Sequence, residues 1–443
     1  MKKKTAYLIL LAAIVLLVLI GGKELPKYAG RLIGFGALLF TDSLYWLAFT
    51  RYVRGRGKAA ATILKVSYWI PPATLLLFLS ATACQPMQHW PPFFRVYFPG
   101  ILIPLYSWKF LLLAFMLVGE LVVLPLNLWK LFASLGTKSR ITWVRIRLFI
   151  SAGLIAGTLL ALVLFSGFFF WVYDFRVITV EIGVKELPES FEGLRIVQLS
   201  DLHLGSWISA KPLKRALDLV NDQHPDLVVF TGDLVNYTTP EAYPFEEQLR
   251  QIHAPLGVFS ILGNHDYGDY VNWNKPEAKA ENDRFLRTFY SKIGWSLLRN
   301  ENAILHKGAD SIALLGVENW SLNKIWGRRG NMAEAETGTG SMKVKILLSH
   351  DPTHWRAEIL KKYPDISLTL SGHTHAMQMG WETSRFRWSP SEWVFPEWAG
   401  LYSSQDAVGN DQYLYVNRGL GHLGFPGRVG IRPEITLFIL HRK

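Results

Sequence analysis

The chain has 443 residues, 50% of them hydrophobic, with a single cysteine and a formal net charge of +12. That length has room for two or three domains, and the lone Cys84 excludes an intrachain disulfide framework. The charge is no nucleic-acid footprint: residues 1–173 hold 18 Lys+Arg against 3 Asp+Glu, while the remainder holds 29 against 32 and is slightly acidic.

Five apolar stretches, near 5–22, 32–50, 66–83, 104–127 and 148–170, are long enough to cross a bilayer. Basic residues alternate in density between the connections. Lys2, Lys3 and Lys4, the Arg51, Arg54, Arg56 and Lys58 cluster, and Lys130, Lys138, Arg140, Arg145 and Arg147 fall on one side. Only Lys23, Lys27, Arg31 and Arg95 fall on the other. This imbalance predicts a cytoplasmic N-terminus in an inner or plasma membrane, with everything after residue 170 outside the cytoplasm. The stretch VLIGGKELP offers no A-x-A-like cleavage site, and the predicted orientation is the same with or without cleavage. Asp42, Lys109 and Glu120 interrupt two of the spans; the cost of a charge in hydrocarbon predicts that they snorkel to the interface or mark a misplaced span edge, an intramembrane functional site being the alternative. Residues 1–173 are therefore expected to be a transmembrane region of about five helices, and 174–443 a separate soluble domain.

In the soluble part, short apolar runs alternate with helical patterns over 209–221 and 281–293. The runs are LRIVQLSDLH, LVVFTGDLVN, GVFSILGNHD, VKILLSHDP and ISLTLSGHTH. Such alternation predicts an α/β layered sandwich with helices on both outer faces. Each run ends in Asp, Asn or His, and sites in open α/β sheets gather at the carboxyl ends of strands. His373 and His375, two residues apart, fit a pair of surface loop histidines equally well when taken alone. Together with Asp201, His203, Asp233, Asn264, His265, Asp266 and His350 at the other four ends, they form a set of imidazoles, carboxylates and one amide. That set suits Mn²⁺, Fe²⁺ or Zn²⁺, and its size suits two ions bridged by one carboxylate. Gly232, Gly263 and Gly372 precede these residues, where the backbone must turn close to a site. His253 and His354 lack this placement and read as ordinary residues.

The series SDLH, TGDLVN, GNHD, SHDP and SGHTH, in this order, resembles the calcineurin-like metallophosphoesterase superfamily, over residues ~177–443. The tail, YLYVNRGLG followed by RPEITLFIL, looks like the superfamily's bacterial membrane-anchored branch; Ala376 and Met377 stand where that branch often has two glycines. The resemblance implies a four-layer α/β/β/α sandwich and a dinuclear phosphoesterase that uses a metal-bridging hydroxide. It also implies roles. Asp201, His203 and His375 would hold one ion, Asn264, His350 and His373 the other, and Asp233 both. His265 would donate to the phosphate or the leaving oxygen, oriented by Asp266. Arg418 and His422, in the turn NRGLGHLG, are candidate substrate contacts.

The expected substrates are phosphodiesters or pyrophosphates, including lipid-linked ones of the cell envelope. A phosphomonoesterase of soluble substrates and a transporter or sensor whose soluble domain only binds are the alternatives. The aromatic segment 381–402, WETSRFRWSPSEWVFPEWAGLY, is expected either to line the cleft and dip toward the bilayer or to pack on the domain's own core. No nucleic acid or obligate protein partner is expected.

Overall fold

The computed structural model describes residues 29–134, 146–383, 386–405, 409 and 411–443. They fall into two compact units: one ends at Phe165, and the other comprises Pro91–Val96 together with Ser166–Lys443.

The first unit holds α1 (Ala29–Val53), α2 (Lys58–Cys84), most of α3 (Pro92–Ala133) and α4 (Arg147–Ser166). These are four helices long and apolar enough to cross a membrane, α4 running on through a π-turn to Trp171. They contain the four later stretches expected from hydropathy; the first, 5–22, lies outside the described residues. α2 carries Pro71 and Pro72, and α3 carries Pro99, Pro104 and Pro125. Interior prolines are tolerated where neighbouring helices re-satisfy the freed backbone groups.

The expected place of the membrane charges needs correction. Asp42 and Lys109 are buried among the helices and paired with each other at 3.1 Å. The Lys109 ammonium also donates to the Tyr68 carbonyl at 2.6 Å, and the Tyr68 hydroxyl donates to the Asp42 carbonyl at 2.8 Å. One polar cluster thus joins α1, α2 and α3, and pairing removes the need to reach the interface. Glu120 is exposed.

The second unit contains two six-stranded sheets. The first orders β1 (Arg176–Val184), β14 (Glu434–Arg442), β2 (Leu194–Leu199), β3 (Leu227–Phe230), β4 (Val258–Ser260) and β5 (Ser296–Leu297). The second orders β12 (Gly400–Gln405), β13 (Asp411–Val416), β9 (Ile366–Ser371), β8 (Lys345–Leu348), β7 (Asp310–Gly316) and β6 (Glu301–Lys307). A two-strand ribbon of β10 (Trp381–Glu382) and β11 (Arg387–Trp388) belongs to neither sheet.

Period-two side-chain alternation builds the layers. Leu227 and Val229 of β3 face a core shared with Leu314, Ile346, Leu368 and Leu370 of the second sheet. Val228 and Phe230 face the opposite way, against α5 (Ala210–Asn221) and α6 (Pro276–Ile293). The outer face of the second sheet is covered by Met332, Trp355 and Ile359. This is the expected α/β/β/α order. β2, β3 and β4 run parallel to one another, as do β8 and β9, so their carboxyl ends open on common edges.

Candidate metal centre

The five strand ends converge. Behind β2, the chain reaches Asp201 and His203; behind β9, His373 and His375. His375 Nε2 lies 3.0 Å from His203 Nε2 and 3.2 Å from Asp201 Oδ1. A second group forms from Asp233 behind β3, His350 behind β8, and His373. Asp233 Oδ2 is 3.2 Å from His350 Nε2, which is 3.3 Å from His373 Nδ1. Within each triad the potential ligand atoms all lie within 4.8 Å of one another. The same Asp233 oxygen lies 3.5 Å from His203 Nε2, so this carboxylate stands between the two groups.

The surrounding hydrogen bonds set which atoms are free. His350 Nδ1 donates to the Thr231 carbonyl at 2.7 Å, so Nε2 is the atom facing the cluster, where, against the cost of burial, the Asp233 carboxylate pushes the ring's pKa up to about 10. Burial keeps the His203 and His373 imidazoles below their ordinary pKa, hence neutral and able to ligate. Asn264 donates from Nδ2 to the Tyr270 hydroxyl at 2.8 Å, and its buried Oδ1 has no hydrogen-bond partner among the described residues. Two buried groups of converging imidazoles and carboxylates are what a divalent cation would satisfy, so these residues fit divalent metals.

Tight backbone makes the convergence possible. Asp201, His203, Asp233, His373 and His375 all have left-handed φ, between 46° and 69°. For non-glycine residues this is strain, held by the surrounding structure. Gly372 shows the crowding: a Cβ there would lie 1.9 Å from Ser200 Oγ. Ala376 and Met377 keep left-handed φ of 49° and 47°, so the chain follows the path that suits glycine without having glycine.

His265 is half-buried, its ring 5.0 Å from that of His203. Its Nδ1 donates to the Asn236 carbonyl at 2.8 Å. Asp266, expected to orient this ring, is engaged with backbone amides. Asp266 accepts four backbone amides: Asp233 and Gly263 on Oδ2, both at 2.9 Å, and Leu234 and Val235 on Oδ1 at 2.8 and 3.2 Å. Every lone pair facing its loops is in use, so this carboxylate braces the turn that presents Asp233 instead. Burial and the neighbouring Asp233 push its pKa up to about 7, while the amides favour its ionised form.

Arg418 and His422 are not part of the two triads. The Arg418 guanidinium pairs with Glu434 and Glu382 and lines a cavity of about 510 Å³ with Trp171, Arg176 and Arg432. His422 is buried, which with Arg428 and His375 nearby lowers its pKa to about 3. The NRGLGHLG turn is instead organised by Arg428, whose fully buried guanidinium donates to the carbonyls of Arg418, Gly419 and Gly421 at 3.0, 2.8 and 2.6 Å. Sequence reasoning missed Arg428, as well as Asn236 and Asp351. Asp351 Oδ2 faces His373 Nε2 at 3.5 Å, the side from which a carboxylate could support a ligating imidazole. Its place in SHDP, beside His350, was the available signal.

The aromatic segment divides. Phe395 and Trp398 are buried with Ala376 and Ile431, and Trp326 stacks on Phe395 at 5.5 Å. Trp326 and Phe395 both meet the His373 ring edge-on, at 4.8 and 5.4 Å. Trp381, Phe386 and Trp393 of the same segment are 66%, 58% and 77% exposed.

A family model described as calcineurin-like phosphoesterase matches residues 194–377. The chain is 34% identical over 271 residues to a transmembrane protein with metallophosphoesterase domain from Danio rerio, covering 60% of this chain and 57% of that protein. It is 30% identical over 268 residues to the uncharacterized metallophosphoesterase YkuE of Bacillus subtilis (strain 168), covering 59% of this chain and 85% of YkuE. To the UDP-2,3-diacylglucosamine pyrophosphatase LpxG of Chlamydia trachomatis serovar D it is 31% identical over 280 residues, with 53% and 81% covered. The match thus spans little more than half of the Danio rerio protein but most of the two bacterial ones. With the layered fold and the convergent His/Asp clusters, these matches show that the chain belongs to the calcineurin-like phosphoesterase family, which uses divalent metals.

Proposed function

We propose that this is a membrane-anchored phosphoesterase that uses two divalent ions to hydrolyse phosphodiester or pyrophosphate bonds, with amphiphilic envelope substrates as its natural class. The observation that carries this reading is Asp233, whose one oxygen lies between the His203 and His350 imidazoles of two separate triads. Asp201, His203 and His375 would hold one ion, Asn264, His350 and His373 the other, and Asp233 both. When bound, two such cations neutralise phosphoryl oxygens and make water acidic enough to attack near neutral pH. The donor set suits Mn²⁺, Fe²⁺ or Zn²⁺.

His265 supplies the proton. Because Nδ1 must donate to the Asn236 carbonyl, Nε2 is the atom left to protonate a departing oxygen. Asp266 acts indirectly, by fixing the Asp233 turn. Trp326 and Phe395, edge-on to His373, give the apolar part of a substrate a wall beside the metals. Exposed Trp381, Phe386 and Trp393 belong to the same aromatic segment as Phe395 and are side chains suited to a lipid-linked substrate. LpxG, by its name, acts on a diacylated sugar nucleotide, which supports a lipid-linked pyrophosphate as the substrate class. Division at residue 173 and a catalytic domain outside the cytoplasm complete the reading. The orientation is supported by Arg95: its connection falls on the sparsely basic side and shares a compact unit with Ser166–Lys443.

The test uses the full chain in detergent, stripped with chelator and reloaded with Mn²⁺, Fe²⁺ or Zn²⁺. Metal-dependent hydrolysis of a chromogenic diester, two equivalents of bound metal, and loss of both in Asp233→Asn are expected. Faster turnover of the monoester would favour a phosphomonoesterase, and no turnover of either, or of a lipid-linked pyrophosphate, in a folded, metal-loaded protein refutes the hydrolase.

A further inference from the structure

The carbonyl that holds His265 is itself held from an unexpected place. Asn236 and Tyr237 donate their backbone amides to Glu241 Oε2 at 2.7 and 3.1 Å. Glu241 is buried, and its Oε1 meets the Arg95 guanidinium at 3.0 Å. Arg95 Nη2 also donates to the Gly205 carbonyl at 2.9 Å, in the loop that follows His203. The Asn236 side chain donates to Ser206 Oγ at 2.8 Å, tying the two loops together. Room for this is made at Gly205, where a Cβ would lie 2.3 Å from Glu241 Oε2. Arg95 is not part of the soluble sequence. It lies in the first turn of α3, the 42-residue apolar helix, within the Pro91–Val96 segment that belongs to the second compact unit.

We propose that Arg95 and Glu241 are positioning residues for His265: the buried ion pair clamps the 236–237 backbone, whose carbonyl fixes the tautomer and direction of the proton-donating imidazole. The proposal rests on the hydrolase reading for its catalytic consequence, but not for the clamp itself. It makes the start of a membrane helix a working part of the site. A buried carboxylate left without its guanidinium must find water or a proton, and the two amides it accepts move with it. The lone pair receiving His265 Nδ1–H then shifts, and proton delivery is sensitive to displacements of this order. Attack on phosphorus, which uses residues of the two triads, depends on the clamp far less.

The experiment compares the full-length parent with Arg95→Met, Glu241→Gln and the conservative Arg95→Lys. Two readouts are taken in detergent: amide hydrogen exchange, and hydrolysis of two metal-dependent diesters, one with an alkyl and one with a p-nitrophenyl leaving group. A poor alkoxide leaving group needs the proton, and nitrophenolate does not. Expected for Arg95→Met and Glu241→Gln is faster exchange confined to peptides spanning 233–242, with β8 and β9 unchanged. The alkyl-to-aryl rate ratio should fall roughly 10- to 100-fold, and Arg95→Lys should recover part of both effects. Unchanged exchange over 233–242 overturns the clamp. Equal loss on both esters overturns the positioning role and leaves only a structural one. A parent inactive on both esters counts against the hydrolase reading, while the exchange data still decide the clamp.

Discussion

Asp266→Asn is the substitution whose outcome separates a brace from a proton relay. The carboxylate receives four backbone amides, two per oxygen, at 2.8 to 3.2 Å, and is almost wholly buried. Asparagine keeps one acceptor oxygen and turns the other into an NH₂ that confronts two N–H groups. Two buried amides lose their acceptor at about 1–3 kcal/mol each, and the remaining two bonds lose the charge that strengthens them. The expected loss is about 3–6 kcal/mol, which for a domain of this size lowers the melting temperature by roughly 10–20 °C. Because Asp233 hangs from the same turn, bound metal should fall below the parent's content. Scanning calorimetry and elemental analysis of the full-length protein, beside His265→Ala, read both quantities. If Asp266→Asn melts like the parent, keeps its metal and loses only activity, to the extent that His265→Ala does, the bracing account is wrong and the carboxylate serves the imidazole after all.

Three further outcomes follow from buried or strained groups. Arg428→Met strands three carbonyls of the 418–421 turn and should cost about 3–5 kcal/mol in denaturant unfolding; a change under 1 kcal/mol would mean that solvent can replace the guanidinium. Met377→Gly relieves a left-handed residue that is 38% exposed, and should raise stability by about 0.5–1 kcal/mol after the entropy of glycine is counted; a loss of the same size would show that the thioether packs usefully. Lys109→Met leaves the Asp42 carboxylate alone among apolar helices and should destabilise by about 3–5 kcal/mol, most of it recovered when Asp42→Asn is added. Unfolding of the parent, Lys109→Met, Asp42→Asn and the double variant in mixed micelles measures this, and simple additivity would deny the pairing.

The motif residues were legible in the amino-acid order because each belongs to a local pattern: a short apolar run, a tight polar turn, a ligand-type side chain. Parallel strands in a layered sandwich then have little choice but to bring those ends together, and Asp201, His203 and His375 gather in one group, Asp233, His350 and His373 in another. Membrane helices were legible for a similar reason, since hydropathy over some twenty residues is a property of a segment and not of its neighbours.

What the amino-acid order could not reveal is who supports whom. The roles of Asp266, Asn236 and Asp351 depend on which amide, carbonyl or imidazole arrives within about 3 Å from elsewhere in the chain. β14 inserts antiparallel to β2 between it and β1, so the last strand completes the sheet begun by the first. Asp42 looks like a misplaced charge until Lys109, 67 positions later, is set beside it. Arg95 reads as a lone base in a loop until Glu241 is seen to meet it. Hydrogen bonds and ion pairs are short-ranged and directional, so their partners are chosen by the tertiary path, whereas strand ends and apolar spans are chosen by residues next to one another in sequence.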